Sequence, residues 1–272
     1  MKGIIDTNEF PSFEEYIELI KFILVSEARN LRSADSTNNM VDFMTKTMMK
    51  EHPEFKDVDL DQFTIGWNEP ANHQIKAALE SIPMVIDLEP ILIVEQTGAR
   101  RFITSDNSVV RYNSFYVSKG YTRGFGFITR GLQLFLPISP HKCIMLYDKL
   151  AYDIPEVKNG VLTLRRAKDV DQLNDFFYLN AYNNVFFNQK TKKDYIEGLY
   201  KKNIRKPKIK DFEREVASFE SVDSDGMLVS FSQNKVSKDF RFSWIRNSLF
   251  ANSLKVPSHM GGLNRTESPL IR

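Results

Sequence analysis

The sequence predicts an α+β domain: N-terminal helices packed on a mostly antiparallel β-sheet, a long returning helix, and a basic C-terminal appendage. Three observations carry this. Apolar residues recur at helical spacing through residues 12–82. Near Met84 the texture changes to short apolar runs punctuated by Gly, Pro, Asp and Asn. A second helical pattern begins near Asp169. Strands joined by short turns pair antiparallel, because a parallel pair needs a long crossover.

The first helix is expected over 12–33. Ser12 with Glu15 three residues later forms a capping box, and Phe13, Ile17, Ile20, Leu24 and Leu31 share a face. Its end is polar, with Ser26, Glu27, Arg29, Asn30 and Arg32. Asp35 or Ser36 caps a second helix through Met40, Phe43, Met44 and Met48, whose flexible side chains suit adaptable core packing. A third helix covers Asn72–Ile82 and stops at Pro83, and a short strand is expected over Gln62–Trp67. Strand candidates follow at Leu88–Glu95, Arg101–Thr104, Val109–Asn113, Phe125–Thr129, Leu132–Pro137, Lys142–Tyr147 and Val161–Leu164. The returning helix is expected from Asp169 to Asn188. Its asparagines at 174, 180, 183 and 184 compete for backbone groups, so their presence implies bonds to something outside the helix. Another helix spans Lys192–Lys202, a charged loop with a short helix covers 203–215, and Met227–Phe231 and Phe240–Ile245 read as a hairpin or two appended strands. This gives a main domain over 1–188, an appendage over 189–254 and a flexible tail over 255–272.

A chain of 272 residues, 42% hydrophobic and with 21 Phe and 10 Tyr, can bury a substantial core. No apolar run nears the ~18 residues that cross a bilayer. The longest, Ile17–Val25, is interrupted by Glu18 and Lys21, so no membrane association is expected. The N-terminus shows no basic region leading into an apolar stretch, so no secretory signal is expected. The single Cys143 excludes an intramolecular disulfide and argues against a cysteine-rich zinc site, so a cytosolic setting is expected. The net charge of +2 hides an asymmetry: about −9 over 1–100, about +4 over 101–188 and about +7 over 189–272.

The chemistry concentrates in Thr104-Ser105-Asp106-Asn107, a carboxylate flanked by hydroxyl and amide groups where one strand ends and the next begins. Such residues also build tight turns by bonding their own backbone. As a site, Asp106 would be a general base or metal ligand and Ser105 and Asn107 its neighbours; no nearby second acid completes a dyad or a metal site. Gly120–Gly126 lacks the strand-to-helix context of a phosphate loop. The four histidines, 52, 73, 141 and 259, show no metal-ligand spacing. Cys143 reads as a buried structural residue and not as the partner of His141. Lysines and arginines over 190–210, interleaved with Tyr195 and Tyr200, suit phosphate contact with base stacking. No cofactor is indicated.

Phe102-Ile-Thr-Ser-Asp-Asn-Ser-Val109, followed by Pro137-Ile-Ser-Pro140 leading into Ile144-Met-Leu, resembles the DUF4238 family of bacterial proteins. The early helix ending in Leu31-Arg32 and the asparagine-bearing segment at Asn180 and Asn183 are similar to that family too. The resemblance covers roughly residues 15–190. This chain departs from the pattern at Ser108, where the family usually has Pro, and it has no His-Tyr-Val/Ile-Pro segment. The family's function is unknown, so the resemblance implies a site and not an activity.

The expected site joins Ser105, Asp106 and Asn107 as catalytic residues to Arg29, Arg32, Asn180 and Asn183 as substrate-binding residues. The leading expectation is an intracellular nuclease or phosphohydrolase acting on nucleic acid or nucleotide. The alternative is a non-catalytic binding or assembly module in which the cluster only braces the sheet. The expected partners are nucleic acid through the basic segment, or another protein.

Overall fold

A computed structural model describes residues 12–121, 123–205, 213–220, 225–232, 240–257 and 262–265. Helix α1 (Phe13–Ala28) starts at the expected capping box: Ser12 Oγ accepts from Glu15 N, and Ser12 N donates to the Glu15 carboxylate at 2.9 Å. The helix buries Leu19, Ile20, Ile23 and Leu24. It ends earlier than the expected residue 33. Asn30 turns out of the helix, and its side-chain oxygen accepts from Ser33 N at 2.7 Å, capping α2 (Leu31–Glu51). The cap expected at Asp35 or Ser36 therefore lies inside α2. The methionines do not form a core: Thr37 is the buried residue of α2, and Met44 and Met48 are exposed.

The strand expected over Gln62–Trp67 is not formed. Ile65 N donates to Asp42 and Trp67 N to Asn38, so side chains of α2 take backbone donors that a neighbouring strand would otherwise need. Helix α3 (Pro70–Glu80) begins with Pro at its first turn.

The strands are β1 (Glu89–Glu95), β2 (Thr104–Ser105), β3 (Val110–Tyr112), β4 (Gln133–Ser139), β5 (Lys142–Tyr147), β6 (Tyr152–Asp153), β7 (Val161–Leu164) and β8 (Val185–Phe186). Five of them form the main sheet in the order β3-β4-β5-β1-β7. Every pairing in it is antiparallel except β1 with β7. The run Arg101–Thr104 contributes only Thr104 to a strand, since Ile103 N donates to the Asn174 side chain at 3.1 Å. The run Phe125–Thr129 is not a strand; Thr129 makes a single bridge to Asn264. A short helix, α4 (Ser114–Ser118), follows β3.

Both faces of the sheet are covered, which is why its strands read as apolar runs and not as an alternation. Along β5, Ile144 and Leu146 pack with α1 and α3, while Cys143 and Met145 face the opposite core. That second core receives Val170, Leu173, Phe176 and Phe177 of α5 (Ala167–Asn180), the returning helix. Helix α5 stops at Asn180, not at 188. Backbone N–H groups of the following connector are taken by Asp106, and β8 pairs with β2.

Helix α6 (Lys193–Asn203) docks on α5, with Asp175 accepting from Asn203 Nδ2 at 2.9 Å and from Lys202 Nζ at 2.5 Å. The basic C-terminal region contains a hairpin of β9 (Glu213–Glu220) and β10 (Asp225–Ser232). The helix expected within 203–215 falls partly outside the described residues, and 213–215 belong to β9. Phe240–Ile245 is not a strand. Its aromatic side chains pack into the core, with Phe240 and Phe242 edge-on to Tyr112, and Trp244 stacked on Phe242. Strand β11 (Arg246–Asn247) pairs with β6, and α7 (Leu249–Ser253) follows. Within 255–272, where a flexible tail is expected, Arg265 is buried and grips Asp87 through two nitrogens at 2.8 and 3.1 Å, while 258–261 and 266–272 lie outside the described residues. Among the described residues no helix is long and apolar enough to cross a membrane.

Candidate functional site

The turn between β2 and β3 carries Ser105, Asp106 and Asn107. Ser105 Oγ accepts from Asn107 N at 3.2 Å and donates to Asn107 O at 2.8 Å, closing a local ring. This is the turn chemistry that Ser, Asp and Asn supply wherever they occur.

Asp106 points at the connector after α5. Its carboxylate accepts from Tyr182 N at 2.9 Å, Asn183 N at 2.8 Å and Asn184 N at 2.9 Å. Its own N–H donates to Asn184 O at 3.2 Å and ties the same two segments from the other side. Three of the carboxylate's lone pairs are thus held by backbone donors.

Asn107 is buried, and both ends of its amide are hydrogen-bonded. Its Nδ2 donates to Asn180 O at 3.0 Å, and its Oδ1 accepts from Asn30 Nδ2 at 2.8 Å. Asn180 answers through Nδ2, which donates to Asn107 O at 3.0 Å and Val109 O at 3.2 Å, while Arg32 Nη1 reaches its Oδ1 at 3.5 Å. Tyr182 adds a bond from its hydroxyl to Asp35 of α2 at 2.7 Å. One network therefore joins the α1–α2 corner, the β2–β3 turn and the end of α5.

Of the seven residues expected at the site, the structure gathers Ser105, Asp106, Asn107, Arg32 and Asn180. Asn183 joins through its backbone N–H. Arg29 does not join: it is exposed at the C-cap of α1 and takes no part in this network. The physical reason is the break at Asn30, which places Arg29 at the end of one helix and Arg32 at the start of the next.

The first part of the chain decides the family. A model of DUF4238, described as a protein of unknown function, matches residues 1–191. The chain belongs to the DUF4238 family. No curated protein and no solved structure matches it. The DUF4238 match ends just before α6, yet Phe240, Phe242, Trp244 and Ala251 from beyond it pack in the same core as α5.

A second polar cluster in this DUF4238 chain lies at the end of β1 and joins residues far apart in sequence. Glu95, at the end of β1, has a side chain only 1% exposed. Its Oε1 accepts from Thr97 N and Thr97 Oγ1, both at 2.6 Å. Its Oε2 lies 2.9 Å from His141 Nδ1 and 3.3 Å from Arg101 Nη1. Burial pushes the Glu95 carboxyl up, but the bonds from Thr97 and His141 and the charge of Arg101 outweigh it and hold the group below its ordinary value. Glu95 and His141 are 46 residues apart and meet because Val94 pairs with Lys142 in the β1–β5 ladder. A register can bring them together; no spacing along the chain announces it. Cys143 sits two residues on, fully buried, and burial pushes its thiol up, which keeps it inert.

The lowered Glu95 carboxyl makes a testable contribution. A depressed carboxylate stabilises the fold above its unfolded value of about 4.3 and loses that contribution as pH falls through the folded value. Glu95→Gln should therefore cost about 1–3 kcal/mol near neutral pH. The gap from the parent chain should close as pH falls below about 4, measured by urea unfolding across a pH series.

Proposed function

We propose that Ser105, Asp106 and Asn107 brace the fold and that this chain works as a binding module for a polyanion such as nucleic acid. The observation that carries the bracing role is the Asp106 carboxylate, whose three backbone N–H partners take three of its four lone-pair positions. The amides of Asn107 and Asn180 are spent in the same way on each other's carbonyls. The binding role draws on the cationic surface at α6. Lys190, Lys192, Lys193, Lys201 and Arg205 are exposed there, and Tyr200 is 50% exposed among them. Lys206, Lys208 and Lys210 of the same basic segment lie outside the described residues. Lysines beside an exposed ring suit phosphate contact with base stacking. The single buried cysteine fits a cytosolic setting.

Asp106→Ala tests this reading. It should lower stability by about 1–3 kcal/mol, because the backbone donors lose their acceptor. Salt-sensitive binding of a single-stranded oligonucleotide, followed by fluorescence anisotropy, should be unchanged. Unaltered melting together with lost binding would make Asp106 a functional group and not a brace. Absence of oligonucleotide binding by the parent chain would remove the polyanion.

A further inference from the structure

The Glu95–His141 pair lies away from the braced turn. Asp171, which bonds Arg100 at 2.6 Å beside this pair, and Asn180, which holds the turn, are separated by roughly 13 Å along α5 at about 1.5 Å per residue. The pair is asymmetric. Glu95 is enclosed, while the His141 side chain is 51% exposed in the tight turn between β4 and β5. An ionised carboxylate only accepts hydrogen bonds, so Nδ1 carries the proton shared with Glu95 in the neutral ring. Nε2 is then left as a bare lone pair on the outward side of the imidazole.

The turn fixes this geometry. His141 N donates to Ser139 Oγ at 3.2 Å, and Glu95 N donates to His141 O at 2.8 Å, so backbone and ring are tied to the same strand end. Arg101 stands on the same carboxylate oxygen. Its bonds to Glu95 and to Arg100 O both use Nη1, and its side chain is 23% exposed. A planar guanidinium next to a base is suited to an oxygen-rich anion. His52 offers an internal contrast: it too is exposed, but its acidic neighbour Glu54 is itself 80% exposed and lies 3.9 Å away. Of these two pairs, only that of His141 has the ring held by an enclosed carboxylate.

We propose that His141 is a general base for hydrolysis of a phosphoester, with Glu95 as its positioning residue and Arg101 as the group that receives the phosphoryl oxygens. Nε2 takes a proton from water as the water oxygen bonds to phosphorus and the bond from phosphorus to the leaving oxygen breaks. The leaving oxygen, in line on the far side of phosphorus, takes its proton from solvent and the imidazolium releases its own to solvent, so water and ester become acid and alcohol with no other reactant. This activity goes beyond the polyanion-binding role and does not involve the Asp106 turn.

The test is hydrolysis of bis(p-nitrophenyl) phosphate by the full chain, with His141→Ala, Glu95→Gln and His52→Ala alongside. His141→Ala removes one of several bonds to the buried Glu95 carboxylate, which keeps those from Thr97, so circular dichroism checks the fold of each variant. The rate should fall about 100-fold in His141→Ala and stay within about twofold of the parent in His52→Ala. Two-bond proton–nitrogen NMR on the parent should place the ring proton on Nδ1, and the pH–rate profile, which a purely structural role for Glu95 would not move, should shift to lower pH in Glu95→Gln as the ring loses its anionic partner. Glu95→Gln should lower the rate while the fold persists. No hydrolysis by the parent chain, an unchanged rate in His141→Ala, or a proton on Nε2 with Nδ1 bare would each overturn the proposal.

Discussion

Asp148→Ala should lower the unfolding free energy by about 3–5 kcal/mol, read as a shifted urea midpoint at neutral pH. Asp148 and Arg130 form an ion pair with side chains only 3% and 4% exposed. Arg130 Nη1 donates to both carboxylate oxygens at 3.0 Å. Asp148 also accepts from Gly131 N at 2.8 Å and Leu150 N at 3.1 Å. Removing the carboxylate strands a guanidinium and two backbone donors where water cannot easily reach them. The effect should extend to the C-terminal stretch. Arg130 Nη2 donates to Arg265 O at 3.0 Å, and Arg265 in turn reaches Thr129 O at 3.0 Å and the Asp87 carboxylate. Limited proteolysis should therefore cut near residue 265 sooner in the variant. Wild-type stability would show that the pair adds nothing beyond its own desolvation cost.

Gly131→Ala should cost about 2–5 kcal/mol, the sum of a left-handed backbone and a crowded interior. Gly131 has φ +81°, and an added Cβ would lie 2.6 Å from Asn113 Oδ1 and 3.0 Å from Phe115 Cβ and the Tyr152 hydroxyl. Those neighbours cannot give way cheaply. Asn113 Nδ2 holds the carbonyls of Gly124 and Arg130, and the Tyr152 hydroxyl donates to Gly131 O at 2.6 Å. Gly98 is the control: it has φ +69° with nothing near its added Cβ, so Gly98→Ala should cost only the backbone term of about 1–2 kcal/mol. Equal losses in the two variants, measured by thermal melts, would show that crowding at Gly131 is negligible.

Local chemistry explains which elements are legible. The capping box at Ser12 and the apolar run of β5 each depend on neighbours within a few residues, and each forms where such neighbours place it, whereas α3 starts at Pro70 and not at the expected Asn72. The differences fall where a distant partner competes with local preference. Asn30 becomes a helix cap while its amide reaches Asn107. Ile65 and Trp67 find side chains of α2 in place of a strand. The aromatic pattern of Phe240–Ile245 reads like a strand, but its rings pack around Tyr112 and Phe176 without one.

The same division applies to function. The Ser-Asp-Asn segment is recognisable in the sequence, as is the prospect that asparagines of the returning helix bond outside it. Asn174 does so with Arg101 O and Asn180 with Asn107 O. What those bonds achieve is not legible, because a carboxylate held by backbone donors and an available one are spelled alike. Glu95 and His141 are invisible as a pair, since strand register is what connects them.

By itself, the order of residues determined the family, the α+β class and the places where clusters of hydrogen-bonding side chains occur. Only tertiary packing decided which of them are spent and which face outward. Short-range sterics and capping act along the chain, whereas burial and the satisfaction of polar groups depend on segments that meet only after folding.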